Sequence, residues 1–241
     1  MNRLIIDGTK GISGNSLLGA ALSLGLPLTL LTESCERLLG PNKVKLLLEK
    51  IHFEHKDIVY FNTESMKGGE KMDILSGREA LDLLEASSLE HVLKKKTGYI
   101  LRGLFESKAR AHGIPLAEVR FRYEGMVDTL VDALGAALTL TYFGSEEILV
   151  SGPVETGEGT ISLPHKELAI PVPMVRILLE DFHCARGSYR GEKVTPTGAA
   201  ILKAFGRQTS PLETSSKKFG YSYPVLPYEE KDCFLLRLEE S

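Results

Sequence analysis

The chain has 241 residues, of which 43% are hydrophobic and 25% charged, with a formal net charge of −3. This balance excludes an intrinsically disordered protein and gives no reason to expect a nucleic-acid or membrane-surface partner. Three widely spaced cysteines, Cys35, Cys184 and Cys233, form no paired zinc motif and suit a reducing compartment. No apolar run has the length of a signal peptide or a membrane span, so we expect a soluble, cytoplasmic protein.

The N-terminal part of the chain predicts a buried strand, two helices and two further strands. The first strand is 4–7, the helices are 17–24 and 29–39, and the later strands are 44–51 and 58–61. Glycine and proline follow each helix, which is typical of helix ends. The polar segment 62–73 predicts a mobile loop.

The rest of the chain predicts mainly helices. Helical periodicity runs over 77–111 with an expected break at 97–98, and returns over 125–143. A strand at 148–150, helices at 175–181 and 198–205 and a terminal strand at 233–237 follow, while prolines exclude a central strand within 162–173. Because strands and helices do not alternate strictly, we predict an α+β fold: a mixed sheet with packed helices, as one domain or as subdomains 1–75 and 76–241.

One face of the helix after residue 125 carries stacked acids. Glu124, Asp128 and Asp132 stand at i, i+4 and i+8. Like charges repel, so a positive partner should lie nearby: a divalent cation, a ligand, or the upstream Arg120 and Arg122. The alternative is structural, with Asp128 favoured by the helix dipole and Asp132 solvated. The residues alone leave both interpretations open.

Two turns rich in small and hydroxyl residues are candidate anion sites. Each precedes a predicted helix, where backbone N–H groups point toward an approaching phosphate. Neither has the GK[ST] ending of a P-loop, and a structural turn or ordinary capping explains their spacing equally simply. The candidate residues are Gly11, Ser13, Gly14 and Asn15 in the first turn and Thr195, Thr197 and Gly198 in the second.

The six histidines are scattered along the chain. They form neither an HxH nor an HExxH pattern, so the sequence does not support a catalytic zinc site. The serines form no G-x-S-x-G motif, so a serine hydrolase is not supported either.

Several segments, in order, carry a resemblance to a known family. Residues 7–16 resemble its first turn, D-C-F-S-G-I-S-G-D-M, residues 108–113 its E-A-K-V-H-G segment, and residues 120–132 its H-F-H-E-V-G-A-V-D-S-I-V-D helix. Residues 170–173 and 194–200 resemble its V-P-x-P and V-T-P-T-G-A-A motifs. Over nearly its whole length the chain resembles the nickel-insertion proteins that complete the nickel-pincer cofactor of lactate racemase.

This resemblance implies nickel as the metal and a pyridinium bisthiocarboxylate mononucleotide as its acceptor. It implies a CTP-dependent insertion lyase, whose C-terminal half binds nucleotide triphosphate and metal. The sequence resembles only the N-terminal half, so we expect that C-terminal part to be absent from this chain. The positions that the resemblance assigns to metal handling are Asp7, His112, Asp128, Asp132 and His165.

The departures from the family pattern remove potential metal ligands. Asn15 replaces an acid, Lys108 a glutamate, Arg120 and Arg122 two histidines, and Tyr123 a glutamate. Segment 62–75 also has no histidine where the family has a histidine-rich loop. At an effective dielectric of about 20, a positive charge about 4 Å away costs about 4 kcal/mol per unit charge on a metal. Nickel binding is therefore disfavoured on this interpretation.

Three hypotheses follow. In the first, the chain is a diverged member that binds a small anionic, nucleotide-like ligand through Arg120, Arg122 and the two turns, with Asp128 and Asp132 orienting the arginines or a Mg ion. In the second, it is the N-terminal subunit of a split, active nickel-insertion enzyme whose C-terminal half is a separate polypeptide. In the third, it is a non-catalytic partner of a homologue, and a homo-oligomer is a further option.

Overall fold

A computed structural model describes residues 2–53, 56–66, 74–163, 166–212, 218–223 and 233–240. The helices are α1 (Gly14–Leu24), α2 (Leu28–Leu39), α3 (Gly77–Ala86), α4 (His91–His112), α5 (Tyr123–Tyr142), α6 (Pro173–Leu178) and α7 (Pro196–Phe205). The strands are β1 (Arg3–Asp7), β2 (Val44–Phe53), β3 (Lys56–Ser65), β4 (Ile74–Ser76), β5 (Arg120–Arg122), β6 (Ile148–Ser151), β7 (Val154–Glu155), β8 (Thr160–Leu163), β9 (Lys166–Ala169), β10 (Cys184–Ala185), β11 (Gly206–Thr209), β12 (Lys218–Ser222) and β13 (Phe234–Glu239).

Within the described ranges, seven strands form one mixed sheet in the order β11-β6-β1-β13-β12-β3-β2. β1 is parallel to β6 and antiparallel to β13, so Leu4 lies opposite both Ile148 and Leu238. β12 is parallel to β3, whereas β2 and β3 form an antiparallel pair. The mixed sheet with packed helices confirms the predicted α+β fold. The sheet takes strands from both sides of residue 75, and the subdomain boundary stays a prediction.

Helices pack on this sheet around a continuous apolar core. Alternate residues of β1, Leu4 and Ile6, are buried in the same cluster as Leu17 of α1 and Leu130 of α5. Burying side chains of this size contributes about 1.5–3 kcal/mol each. α1 lies on β3, β12 and β13 and also contacts α5, while α4 packs against α5, α6 and α7. The starts of α1 and α7 thereby come close to the middle of α5.

Two predicted boundaries were wrong for reasons visible in the structure. Residues 62–65, predicted as loop, continue β3, because they pair in register with 44–47 of β2. The rest of that predicted loop, 67–73, lies outside the described residues. The helix break falls at 87–90 rather than at 97–98, since Ser87 ends α3 and accepts the N–H of Leu89, whereas Thr97 is fully buried within α4.

Smaller differences concern helix ends. α5 begins at Tyr123 rather than at 125, directly after the short strand β5. α6 ends at Leu178 rather than at 181. The proline-containing region forms the isolated hairpin β8–β9 outside the main sheet, which agrees with the expectation that it supplies no central strand.

Candidate functional site

The turn that follows β1 is held by contacts with residues distant in sequence. Asp7 accepts hydrogen bonds from the N–H of Thr9 at 3.0 Å and from its hydroxyl at 2.7 Å. The N–H of Ile12 donates to the carbonyl of Lys193 at 2.9 Å, and Lys193 Nζ donates to the Thr9 carbonyl at 2.8 Å. Lys193 Nζ also pairs with Glu155 at 2.7 Å. These contacts hold in place the segment that leads from β1 to the start of α1.

α1 begins with a capping box that leaves two backbone donors open. Ser13 Oγ accepts from the Ser16 N–H and Ser16 Oγ accepts from the Ser13 N–H, each at 3.0 Å. The first-turn N–H groups of Gly14 and Asn15 have no intrahelical acceptor, and no acceptor for them is found within the described ranges. The positive end of α1 therefore presents free donors.

The start of α7 lies directly against the start of α1. Thr195 caps α7 by accepting the Gly198 N–H at 3.1 Å, and its own N–H donates to the Ile12 carbonyl at 3.1 Å. A Cβ at Gly198 would stand 2.2 Å from that carbonyl oxygen and 3.1 Å from the Cα of Ser13, so only glycine allows this approach. Thr197, the next residue after the N1 proline, keeps a free N–H in the part of the chain described. Two helix N-termini thus meet in one place.

The three acids of α5 lie at increasing depth, from the surface to the core, near the starts of α1 and α7. Glu124 is exposed, Asp128 is half-buried and Asp132 is only 4% exposed. Asp128 Oδ1 accepts the Thr63 hydroxyl of β3 at 2.6 Å. A Cβ at Gly14 would lie 2.1 Å from Oδ2 of Asp132, so the buried carboxyl touches the first residue of α1. Oδ1 of Asp132 has no hydrogen-bond partner among the described residues.

Burial sets the protonation behaviour of both aspartates. It raises the pKa of Asp132 well above the ordinary range, and the charge of Asp128 raises it further. Burial also raises the pKa of Asp128, while the Thr63 hydrogen bond acts in the opposite direction. These two carboxyl groups disfavour ionisation and pair with no lysine or arginine among the described residues, so a proton or a bound cation is stabilising there.

Comparison of the sequence with known proteins identifies the family of this chain. The nickel insertion protein family model matches residues 4–228. A relative from Geotalea daltonii, named as a nickel insertion protein, is 32% identical over 91% of this chain and 56% of its own length. One with the same name from Pelobacter propionicus is 34% identical over 82% and 50%. The pyridinium-3,5-bisthiocarboxylic acid mononucleotide nickel insertion protein of Akkermansia muciniphila is 29% identical over 92% and 56%.

The chain belongs to the nickel insertion protein family. This confirms the resemblance drawn from the motifs. The chain spans about half the length of the curated relatives it matches. No solved structure matches it. Among the described residues, no helix combines the length and the apolar character that a membrane crossing requires.

Of the two arginines at the histidine positions of the family motif, Arg120 binds nearby backbone carbonyls and Arg122 is exposed. Arg120 donates to the carbonyls of Ala117 at 2.6 Å and Val119 at 3.1 Å. Its charge also helps to lower the pKa of Glu79, after the larger effect of hydrogen bonds from Ser76. Arg122 is exposed and precedes α5. Within the described ranges, no ion pair joins either arginine to Asp128 or Asp132, so the structure does not bring these four predicted residues together.

Of the remaining metal positions implied by the family resemblance, the two that the structure describes, His112 and Asp7, lie on different elements. His112 is the exposed last residue of α4. Asp7 lines a cavity of about 220 Å³ at the ends of β1 and β6, with Ser151 and Arg237. His165 lies outside the described residues. In the part of the chain that the structure describes, no group of three or more His, Cys, Asp or Glu side chains is placed to hold a metal.

Sequence reasoning missed three residues that shape this site. Thr63 and Asn62 were assigned to a loop, although their strand positions bring them to Asp128 and to Asn15. Residues 58–61 form a short continuous apolar run, and extending the predicted strand beyond the end of this run was the available signal. Lys193 was also missed, and no local pattern identifies it, because its partners lie up to 184 residues away.

Proposed function

We propose that this chain binds an anionic, nucleotide-like cofactor of nickel insertion at the paired starts of α1 and α7. The candidate ligand is the pyridinium bisthiocarboxylate mononucleotide named for the A. muciniphila relative, or a close precursor of it. The anion-binding residues are Gly11, Ser13, Gly14, Asn15, Thr195, Thr197 and Gly198. Nickel enters as the substrate of the reaction rather than as a resident cofactor.

The observation that carries this proposal is the close approach of the two helix N-termini. Gly198 packs on Ile12 and Ser13, while Gly14, Asn15 and Thr197 keep free backbone donors. α1 has 11 residues and α7 has 10, so each contributes a full helix dipole, of about half a positive charge at its start. A phosphate group is the ligand that two such helix ends favour most strongly.

The arginines take a secondary part in the proposal. Arg122 is exposed and available to a second anionic group of an extended ligand, such as a thiocarboxylate. Arg120 reaches a ligand only by releasing the carbonyls of Ala117 and Val119. A diverged role, in which the chain binds the cofactor without inserting nickel, follows if these arginines replace metal-binding histidines.

The family match favours a second candidate function, participation in nickel insertion itself. The chain aligns with about half of each of two curated relatives, and in a split enzyme a separate polypeptide would supply the other half. In this case Asp7, His112, Asp128, Asp132 and His165 are the candidate nickel-handling residues. Stoichiometric nickel in protein purified without chelators supports this function, whereas co-purification of a second chain without nickel supports the role of a non-catalytic partner of a homologue.

Calorimetric titration with nicotinic acid mononucleotide tests the main proposal, because this compound combines a pyridinium ring, a carboxylate and a phosphate. We expect it to bind at least about ten times more tightly than the riboside that lacks phosphate, a difference of about 1.4 kcal/mol. Thr197→Glu places a negative charge at the start of α7 and should weaken binding by a similar factor. Thr197→Gln is the matched neutral control. Equal binding of nucleotide and riboside, or no effect of Thr197→Glu, contradicts the proposal.

A further inference from the structure

The buried end of the acidic face contains an oxygen atom that has no partner among the described residues. Asp132 is nine-tenths buried and its Oδ1 accepts no hydrogen bond from the described residues. Such an acceptor is destabilising when it is left unsatisfied. The side chain contacts Gly14 and therefore faces the start of α1.

Asn15 contributes a second unpartnered oxygen, and its orientation follows from its neighbours. Oδ1 of Asn62 accepts the backbone N–H of Thr63 at 2.9 Å, which requires that this atom is an oxygen. The Asn15 group that faces the same atom at 3.2 Å must then be its NH2. The Asn15 Oδ1 consequently points away from Asn62, and it is buried without a partner among the described residues.

Asp128 is the third candidate ligand and contacts β3. Thr63 occupies one of its carboxylate oxygens with a 2.6 Å hydrogen bond and so fixes the orientation of the group. Asp128 and Asp132 stand at i and i+4 of α5, so the two side chains are neighbours on one face of the helix. Within the described ranges, neither acid has a lysine or arginine at ion-pair distance.

The chemistry of these atoms selects a class of ligand. Carboxylate and amide oxygens are hard donors, which Mg²⁺ and Mn²⁺ accept, and the set contains no imidazole or thiolate. Mg²⁺ is ordinarily held by one or two carboxylates and keeps several waters, so a third acidic ligand is not required. This agrees with the absence of any group of three His, Cys, Asp or Glu ligands among the described residues.

We propose that Asp128, Asp132 and Asn15 bind a divalent cation of the Mg²⁺ or Mn²⁺ class beside the starts of α1 and α7. The inference rests on the proposed function in one respect, since a cation held by these acids would also attract an anion bound at the starts of α1 and α7. The metal site itself stands on the unpartnered oxygens. Glu124, one turn outward on the same face, is exposed and lies outside the site.

Binding of Mn²⁺ alone, measured by electron paramagnetic resonance and calorimetry, tests this inference. We expect one bound Mn²⁺ and a loss of affinity of about tenfold or more in Asp132→Asn and in Asp128→Asn, which is about 1.4 kcal/mol. Glu124→Gln should change the affinity by less than about twofold, because a general attraction to acidic charge is weak at an exposed position. Thermal unfolding of each variant shows whether the fold is retained.

The two proposals fail in different ways. If no Mn²⁺ binds, with or without nicotinic acid mononucleotide, or if Glu124→Gln matters as much as Asp132→Asn, the cation site is wrong. Mononucleotide binding that persists under these conditions leaves the proposed function standing. Mn²⁺ binding without mononucleotide binding supports the cation site and contradicts the proposed function.

Discussion

Glu155 and Asp132 are two acids beside the same turn, residues 8–15, and their surroundings differ. Glu155 pairs with Lys193 at 2.7 Å, and both side chains are largely withdrawn from solvent, at 24% and 18% exposure. Asp132 is more deeply buried, lies near another acid and has an oxygen without any described partner. Lys193 neutralises the charge of Glu155, whereas no described side chain neutralises Asp132, which a proton or a bound ligand could do.

This difference separates an acid with a structural role from one that we propose to be functional. The Lys193–Glu155 pair stabilises the turn because Lys193 also binds the Thr9 carbonyl. Asp132 contributes nothing comparable to the fold, and a buried polar group without a partner is destabilising. A protein retains such a group where binding or catalysis requires it, at some expense in stability.

The largest expected effect comes from breaking the ion pair between Lys193 and Glu155. Lys193→Met keeps the apolar stem but removes the charge, which leaves Glu155 unpaired and the Thr9 carbonyl without its donor. We expect a loss of about 2–4 kcal/mol in the free energy of unfolding, somewhat below the value for a fully buried pair. Urea unfolding at pH 7 measures it, and adding Glu155→Gln should restore part of the loss. A loss below about 1 kcal/mol would contradict a structural role for this pair.

Urea unfolding of a variant at Asp132 should instead show an increase in the free energy of unfolding. Asp132→Asn replaces the carboxyl with a neutral group of the same shape, whose NH2 is able to donate to a neighbouring oxygen. We expect the free energy of unfolding to rise by about 1–2 kcal/mol at pH 8. Asp132→Val is a second variant, which removes the polar atoms altogether. Destabilisation by Asp132→Asn would indicate that the carboxyl has a structural partner after all.

Glu192 gives a smaller effect that depends on pH. Burial raises the pKa of its carboxyl to about 7 from 4.5, so the folded state holds a proton that the unfolded state releases between these values. Stability should therefore fall as the pH rises from about 4.5 to about 7, and stay constant above that window. Glu192→Gln should remove this slope, with a gain of about 1 kcal/mol at pH 8 after allowance for partial exposure. Equal gains in the free energy of unfolding at pH 5 and pH 8 would show that the gain does not come from the ionisation of Glu192.

The sequence predicted the parts of this comparison that depend on local signals. Strand β1, helix α1 and the i+4 spacing of Asp128 and Asp132 follow from apolar periodicity and helix geometry. The capping turns were also recognised, as glycine- and hydroxyl-rich segments at helix starts. These features need only residues within one or two turns of each other.

The partners of the acids were not predictable in the same way. Thr63 and Asp128 are 65 residues apart, and Asp132 meets Gly14 only because α5 packs on α1. Arg120 was expected beside the acids because it is close in sequence, yet its guanidinium finds nearer acceptors in the carbonyls of Ala117 and Val119. Sequence proximity set the expectation, while packing between helices decided the outcome.

An exposed pair of the same residue types should show the smallest effect. Lys45 and Glu64 lie directly opposite each other on β2 and β3, with the charged atoms 3.6 Å apart and the side chains 59% and 58% exposed. Solvent screens this pair, and ordering both long side chains offsets the attraction, so Glu64→Gln should change the free energy of unfolding by less than about 0.5 kcal/mol. Urea unfolding in low and in high salt measures the change. A loss as large as that of Lys193→Met would mean that burial does not set the difference between these two lysine–glutamate pairs, and the contrast between Glu155 and Asp132 would then need another explanation.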